Sequence, residues 1–207
     1  MIVTKAVEDY LERIRPAPDP VLAEMEDRAR RDGIPIVVPS TGQLLQVLVG
    51  AAGARRAVEV GTAIGVSTLY IARGLADAGQ VISFEIDPER HGAAREYLDR
   101  AGVRERTDLR LEDARAGLQA LSGPFDFAFL DGVKAQYDDY FELVWPLLGA
   151  GAMLAVDNVL MGGAVAEGEA SERIATARAF NQRLLSHPGL TGTVTAVGDG
   201  VLVAVKT

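Results

Sequence analysis

The stretch FLDGVKAQYDDYF, residues 129–141, places an aspartate and a lysine three positions apart directly after an apolar run. Asp131 stands where a buried strand would end, and Lys134 follows a glycine and a valine. Lysine is scarce, because the 21 basic residues include only Lys5, Lys134 and Lys206. Unlike arginine, lysine can give up its proton in a protein, so Lys134 is a candidate acid–base group. The plain alternative is that one internal lysine falls here by chance.

A second aspartate and an asparagine, Asp157 and Asn158, end a later apolar run. If the two runs form neighbouring parallel strands, about 4.8 Å apart, these side chains converge with that of Asp131. Oxygen ligands without histidine or cysteine favour Mg²⁺, or Mn²⁺ and Ca²⁺, over zinc. A lysine beside such a cation would hold its proton less tightly, so Lys134 would be able to act as a base. Taken singly, each polar residue is also explained as a turn residue or local cap.

The stretch AVEVGTAIGVSTLY, residues 57–70, reads as a strand, a glycine-rich turn and the start of a helix. It lacks the middle glycine of the dinucleotide pattern G-x-G-x-x-G, and Glu59, two residues before Gly61, would repel phosphates. A cationic or amino-bearing ligand such as S-adenosylmethionine suits it better. Ser67 would cap the helix or contact a ligand carboxylate, and Glu85 would accept from ribose hydroxyls. The alternative is a tight turn without a ligand.

Five apolar runs alternate with helical patterns from residue 56 onward, at 57–60, 81–86, 109–112, 125–131 and 152–157. This alternation predicts an α/β fold: a Rossmann-like, doubly wound, mostly parallel seven-stranded sheet with helices on both faces. The final TGTVTAVGDGVLVAVKT predicts an antiparallel C-terminal hairpin that turns at residues 198–200. Further helices are expected over Ala6–Ile14, from Pro20 to Gly33, after a cap at Ser40 or Thr41, and near Ala170–Ser186. Ligands of such sheets bind at the carboxyl ends of the strands.

The composition of the chain excludes several classes of partner and site. The 207 residues fit one domain, and a net charge of -8 with no basic run argues against nucleic acid as a partner. No apolar stretch is long enough to span a membrane, and the start lacks a signal peptide's apolar core, so a cytoplasmic location is expected. The absence of cysteine excludes disulfides, thiol nucleophiles and zinc–thiolate sites.

With these motifs, the chain resembles the class I S-adenosylmethionine-dependent methyltransferases, and more closely the cation-dependent O-methyltransferases of the catechol and caffeoyl-CoA type. The resemblance covers about Ile36 to Lys206 and is most specific in DGVKAQYDDYFELVWPLLGAGAMLAVDNVLMGGAV. It implies Lys134 as the catalytic base. The cofactor-binding residues it implies are Val37, Glu59, Gly61, Ser67, Glu85, Asp113, Ala114 and Asp131. The metal ligands it implies are Asp131, Asp157 and Asn158.

The chain departs from the family pattern at two positions. Gly132 stands where the animal catechol enzyme has an aromatic ring over the adenine, so that stacking is missing. Met161 replaces a tryptophan common in this segment, and it should lie near the acceptor pocket. The cofactor chemistry is left intact by both changes, whereas the shape of the acceptor pocket is altered by the second.

The resemblance implies transfer of a methyl group from S-adenosylmethionine to one hydroxyl of a vicinal-dihydroxy aromatic. It also implies a homodimer, with residues 1–35 as a helical lid or dimer segment of a single domain, 1–207. Free catechols, hydroxycinnamoyl thioesters, flavonoids and antibiotic precursors all fit as acceptors, with meta or para methylation. Two alternatives stay open: an NAD-type Rossmann oxidoreductase, and a non-catalytic S-adenosylmethionine-binding partner protein.

Overall fold

A seven-stranded sheet forms the centre of the computed structural model, which describes residues 4–167 and 171–207. The strands are β1 Arg56–Val60, β2 Gln80–Glu85, β3 Thr107–Leu111, β4 Phe125–Leu130, β5 Leu148–Val156, β6 Leu190–Thr195 and β7 Val201–Lys206. Their spatial order is β3-β2-β1-β4-β5-β7-β6. Neighbouring strands from β1 to β5 are parallel, and β7 is antiparallel to both β5 and β6. The predicted sheet and its C-terminal hairpin are therefore confirmed.

Helices cover both faces of this sheet. They are α1 Lys5–Ile14, α2 Pro20–Asp32, α3 Pro39–Ala51, α4 Val66–Gly74, α5 Pro88–Arg100, α6 Ala114–Gln119, α7 Tyr137–Val144 and α8 Glu172–Leu185. One apolar core packs α2 to α5 against one face, and a second packs α6 to α8 against the other. Successive side chains of β4 point to opposite faces of the sheet and so contribute to both cores. Phe127 and Phe129 lie in the first core, and Ala128 and Leu130 lie in the second.

Two helix starts differ from the sequence predictions. The expected cap at Ser40 or Thr41 is wrong: α3 begins at Pro39, and no side chain caps it. Proline suits the first helical position because its fixed φ is helical and its missing N–H would have no partner there. The last long helix begins at Glu172, and Ala170, where it was expected to start, lies outside the described residues.

In the described parts of the chain, no helix is both long and apolar enough to cross a membrane.

Candidate active site

Backbone hydrogen bonds extend the parallel ladder one residue beyond the strands and fix where the acidic side chains emerge. The Asp131 N–H donates to the Val60 carbonyl at 2.9 Å, and the Asp157 N–H donates to the Leu130 carbonyl at 3.1 Å. Asp131 and Asp157 therefore leave adjacent strands, β4 and β5, side by side at the carboxyl edge. This juxtaposition is the one that the sequence predicted.

A cavity of about 480 Å³ opens at this edge and is called the strand-end cavity. It brings together eight of the residues that sequence reasoning singled out. They are Gly61, Glu85, Asp113, Ala114, Asp131, Lys134, Asp157 and Asn158. Five neighbouring strand ends, those of β1 to β5, thus supply one site, as expected for ligand binding in a parallel sheet.

The glycine-rich turn after β1 needs its first glycine for two reasons. Gly61 has φ +99°, a left-handed conformation that side chains disfavour, and a Cβ there would collide with the Asp131 carbonyl oxygen. The Glu85 carboxylate then fastens the turn, because it accepts from the Ala63 N–H at 2.7 Å and from the N–H groups of Ile86 and Asp87 at 2.9 Å. A carboxylate has about four acceptor sites, so Glu85 can accept one further hydrogen bond.

Asp113 and Ala114 form the opposite wall of the strand-end cavity, at the start of α6. Asp113 caps this helix by accepting from the Arg115 N–H at 2.8 Å. Hydrogen bonds from the Arg115 side chain and backbone lower the pKa of the Asp113 carboxyl. A charged carboxylate therefore lies beside Ala114. Because the Ala114 side chain is small, a flat ligand can approach the backbone of this wall.

Glu59 does not line the strand-end cavity but lies fully buried beneath it. Its Oε2 accepts from the Thr68 hydroxyl at 2.5 Å and the Ser83 hydroxyl at 2.6 Å. Among the described residues, Oε1 has no hydrogen-bond partner. Burial raises the pKa of Glu59 to about 7, although the hydroxyls of Ser67, Ser83 and Thr68 oppose this rise. Ser67 makes no helix cap here, since α4 has no side-chain cap.

Val37 also lies outside the lining of the strand-end cavity. Its side chain is buried in the first apolar core, packed with α2 and α3. Its two predecessors, Pro35 and Ile36, do line the cavity. The extended segment before α3 therefore borders the site through these neighbours.

Lys134, Asp131 and Asp157 are ionisable residues that line the strand-end cavity together. The Lys134 ammonium donates to Asp131 Oδ1 at 2.6 Å. Burial raises the pKa of Asp131, and the charge of Lys134 opposes this. Burial, followed by the negative charge of Asp131, raises the pKa of Asp157 to about 7. Asp157 Oδ1 is buried and, within the described structure, lacks a hydrogen-bond donor.

The donor set at the strand ends is made of hard oxygen atoms. The two carboxylates and Asn158 line the same cavity. Asn158 adopts a left-handed φ of +57°, which asparagine tolerates better than most residues. Across residues 4–167 and 171–207, no cluster of three or more His, Cys, Asp or Glu side chains could hold a metal ion. The orphaned Asp157 oxygen and the oxygen-only chemistry nevertheless fit a hard divalent cation.

A second cavity, of about 330 Å³, lies beside the first and is called the α8 cavity. Apolar side chains supply much of its wall, among them Tyr137, Val159, Met161 and Phe180. It shares Lys134 and Asn158 with the strand-end cavity. Met161 thus lines the same cavity as Lys134.

Sequence reasoning missed Asn181, which lines the α8 cavity from helix α8. Its amide N–H donates to the Val159 carbonyl at 2.8 Å, and its amide oxygen is buried without a partner among the described residues. Nothing in the sequence marks Asn181 as a cavity residue, because an asparagine inside a helical pattern resembles any polar surface residue.

The two cavities can hold two ligands that meet at one acid–base side chain. One ligand would lie over the glycine-rich turn, and the other against the apolar wall from α8. Lys134 and Asn158 stand where the two would touch. This arrangement suits transfer of a group between two small molecules, with a proton removed at the point of contact.

Comparison with known proteins gives consistent matches over nearly the whole chain. Residues 19–207 match the family model described as O-methyltransferase. The catechol O-methyltransferase of Mycobacterium tuberculosis is 35% identical over 191 residues, covering 90% of this chain and 86% of that protein. The O-methyltransferase from Bacillus cereus in complex with SAH matches with a TM-score of 0.88 and 31% identity, covering 98% of this chain and 97% of that one. TomG, an O-methyltransferase from Streptomyces achromogenes involved in tomaymycin synthesis and solved with SAM, has a TM-score of 0.86 and 28% identity, covering 98% and 96%.

Proposed function

The chain belongs to the O-methyltransferase family, and from that premise we propose that it methylates one hydroxyl of a catechol-like aromatic with S-adenosylmethionine as donor. The catechol name of the Mycobacterium tuberculosis relative and the SAH- and SAM-bound structural neighbours support this choice. Membership also makes the chain an enzyme of the methyltransferase class, so neither the dehydrogenase nor the non-catalytic alternative is carried further.

The observation that carries the proposal is the meeting of two cavities at Lys134 and Asn158. A donor and an acceptor bound in the two cavities would touch beside an amine. Positioning two reactants at contact distance lowers the barrier by removing the entropy cost of their encounter. A pure binding protein would have no need of an acid–base side chain at that junction.

The strand-end cavity is the proposed donor site. Glu85 would accept from a ribose hydroxyl at its remaining acceptor position, and Asp113 with Ala114 would border the adenine. When bound here, S-adenosylmethionine would supply a methyl group activated by its sulfonium, and the residues of this cavity would hold and orient it. Gly61 lets the backbone approach this ligand closely because it carries no side chain.

Glu59, Ser67 and Val37 would act from beneath and beside that cavity. The unpartnered Glu59 Oε1 is an acceptor one residue from the cavity-lining Val60, which suits the amino group of the cofactor. Ser67 supports Glu59 through its hydroxyl. Val37 would act through the backbone of its segment, since its side chain faces the core.

Asp131, Asp157 and Asn158 are the proposed ligands of Mg²⁺, with Mn²⁺ or Ca²⁺ as alternatives. The partnerless Asp157 oxygen and the all-oxygen donor set support this assignment. When bound, the cation would stabilise the ionised form of an acceptor hydroxyl. Asp131 would orient Lys134 before the cation binds and would serve as a ligand once it has bound.

Lys134 is the proposed general base. Its ammonium is held at Asp131, next to both cavities, so its direction is fixed before any ligand arrives. As a neutral amine it would take the proton of the attacking hydroxyl and return to the ammonium form that Asp131 stabilises. Arginine would not do this, because its guanidinium keeps its proton.

The segment 1–35 is the proposed lid or dimer contact of a single catalytic domain. On α1, Tyr10, Leu11 and Ile14 are 50%, 48% and 56% exposed, and they lie on one face of the helix. A helix that shows an apolar face to water is suited to cover a ligand or to pair with a second copy of the chain. Light scattering of the wild type and of Leu11→Arg distinguishes the two roles: a dimer lost in the variant supports pairing, and an unchanged monomer supports a lid.

The test is mass spectrometry of products from purified protein, S-adenosylmethionine and a panel of catechols, with Mg²⁺ or with chelator. We expect products heavier by one CH₂ group, formed only when metal is present. If products still form in the presence of chelator, the proposed donor site would stand and the proposed role of the metal would be ruled out. No product from any catechol, combined with tight binding of S-adenosylmethionine, would contradict the acceptor class.

A further inference from the structure

The segment from Asn158 to Gly163, which follows β5, has an unusual backbone. Four of its residues have positive φ: Asn158 (57°), Met161 (52°), Gly162 (66°) and Gly163 (88°). Glycine and asparagine adopt this conformation readily, but methionine does not. A bulky residue persists there only where its surroundings impose the conformation, and such outliers concentrate at functional sites.

The turn of the C-terminal hairpin imposes this backbone conformation on the segment. The N–H groups of Val159 and Leu160 donate to the carbonyls of Gly200 and Asp199 at 3.1 and 3.0 Å. The Gly162 N–H donates to Asp199 Oδ1 at 2.6 Å. Leu160 also packs where a side chain at position 200 would stand. Of these contacts, the carboxylate of Asp199 makes the one hydrogen bond that a side-chain substitution can remove.

The residue that this hydrogen bond holds is Met161, because Gly162 follows it directly. Met161 lines the α8 cavity, and it also lines a smaller cavity of about 250 Å³ together with Lys134, Asn158 and Asp199. Without the bond at Gly162, the hydrogen bonds from the hairpin would reach only as far as Leu160, and the left-handed Met161 would be held on one side alone. The thioether would then leave the wall and enlarge the cavity beside Lys134.

From this geometry we infer that Asp199 is a positioning residue that sets acceptor selectivity by holding Met161 in the wall of the α8 cavity. The inference rests on the proposed function, since it takes the α8 cavity as the acceptor site. Asp199 acts through the Gly162 N–H, and the acceptor feature that it governs is the bulk of the ring substituent next to Met161.

The experiment is a competition between catechol and 4-tert-butylcatechol in one reaction, read as the ratio of the two methylated products. Internal competition reports the ratio of kcat/KM values, which does not depend on the fraction of folded enzyme or on donor saturation. A loss of stability alone therefore leaves the ratio unchanged. The variants are Asp199→Ala, Asp199→Asn and Met161→Ala.

We expect Asp199→Ala to shift the ratio at least about threefold toward the bulky acceptor, in line with the loss of one hydrogen bond that shapes a pocket. Met161→Ala should shift it in the same direction. Asp199→Asn should retain the wild-type ratio, because the amide oxygen still accepts from Gly162. Asp126→Ala is the matched control: Asp126 also accepts backbone N–H bonds, from Arg55 and Arg56, but at the opposite edge of the sheet.

Three results would overturn the inference: a wild-type ratio in Asp199→Ala, an equal shift in Asp199→Asn and Asp199→Ala, or a wild-type ratio in Met161→Ala. Should Asp199→Ala fail to fold, Asp199→Ser takes its place in the same comparison. No methylated product from the wild type would count against the proposed function. Ample product with an unchanged ratio would count against the role of Asp199 alone.

Discussion

The Lys134 ammonium and Asp131 Oδ1 lie 2.6 Å apart, so the proposed base and a proposed metal ligand are hydrogen-bonded to each other. A cation that binds Asp131 competes with Lys134 for the same carboxylate. Binding of the metal and release of the lysine would therefore be linked, and the amine would be freed in the state that is ready to react.

Replacing Lys134 tests its role as base. Lys134→Ala should lower kcat by about 10² to 10⁴, the usual contribution of a general base. Lys134→Arg should be equally slow, because it keeps the positive charge beside Asp131 but cannot take a proton. Steady-state kinetics give kcat, and calorimetry should give an unchanged affinity for S-adenosylmethionine.

Lys206→Arg is the matched control for Lys134, since its ammonium donates to backbone carbonyls of Trp145 and Leu148 away from the cavities. Its kcat should stay near the wild-type value. If Lys134→Arg turned over at the wild-type rate, proton removal by Lys134 would be ruled out and the lysine would act through its charge.

Replacing Asp157 should raise the metal concentration that activity requires and should not destabilise the fold. In Asp157→Asn, the Mg²⁺ concentration for half-maximal activity should rise at least about tenfold. Because burial raises the pKa of Asp157 to about 7, ionising it at pH 8 costs stability in the metal-free protein. The variant without metal should therefore melt at the same temperature as the wild type or higher. Asp126→Asn, at the far end of β4, should alter neither quantity.

Glu59 should make stability depend on pH in the opposite sense to an ordinary surface carboxylate. Its pKa rises from 4.5 to about 7 on folding, so the folded state holds a proton that the unfolded state has lost between these values. Stability is greatest below pH 4.5 for this group and falls as pH rises through 7, with a slope of up to about 1.4 kcal/mol per pH unit. Glu59→Gln removes this titration.

The measurement for Glu59 is chemical denaturation of both proteins without ligand, from pH 5 to pH 8. The variant should gain stability relative to the wild type as pH rises, and the gain should level off above pH 7. A difference that stays constant across this range would mean that Glu59 keeps its charge when folded.

Gly61 should be the most sensitive glycine of the turn. Gly61→Ala adds a Cβ against the Asp131 carbonyl and forces alanine to φ +99°, so we expect a loss of about 3 kcal/mol or more. Gly53→Ala is the control, because its φ is +58° but no atom lies within 4 Å of the added carbon. It should lose only about 1 kcal/mol. Equal losses in urea denaturation would show that backbone strain, and not the contact with β4, limits position 61.

The sequence predicted the fold and the strand-end residues because each depends on short-range pattern. Apolar runs alternating with helical patterns determine a parallel sheet, and the last residue of each run must then appear at its carboxyl edge. Asp131 and Asp157 were placed together by that logic alone, and the family resemblance was confirmed by the comparisons.

The remaining features depend on contacts between residues far apart in sequence. Glu59 was expected at the ligand, and nothing in its neighbourhood indicated that hydroxyls from α4 and β2 would enclose it. Asp199 reads as a turn residue between two glycines, yet its carboxylate acts on Gly162, 37 positions earlier. The start of α3 was missed for a local reason, because the capping preference of Ser40 and Thr41 was weighed above the suitability of Pro39 for a first turn.

The two cavities also divide the chain. Among the described residues, those that line the strand-end cavity lie between positions 35 and 158, those that line the α8 cavity lie between positions 134 and 181, and Lys134 and Asn158 are shared by the two. Most of the proposed acceptor wall is thus encoded after the last residue of the proposed donor site. Recombination that exchanges the gene segment after Asn158 would bring in most of a new acceptor wall while the proposed donor residues are inherited unchanged, so a lineage could change its substrates without rebuilding its chemistry.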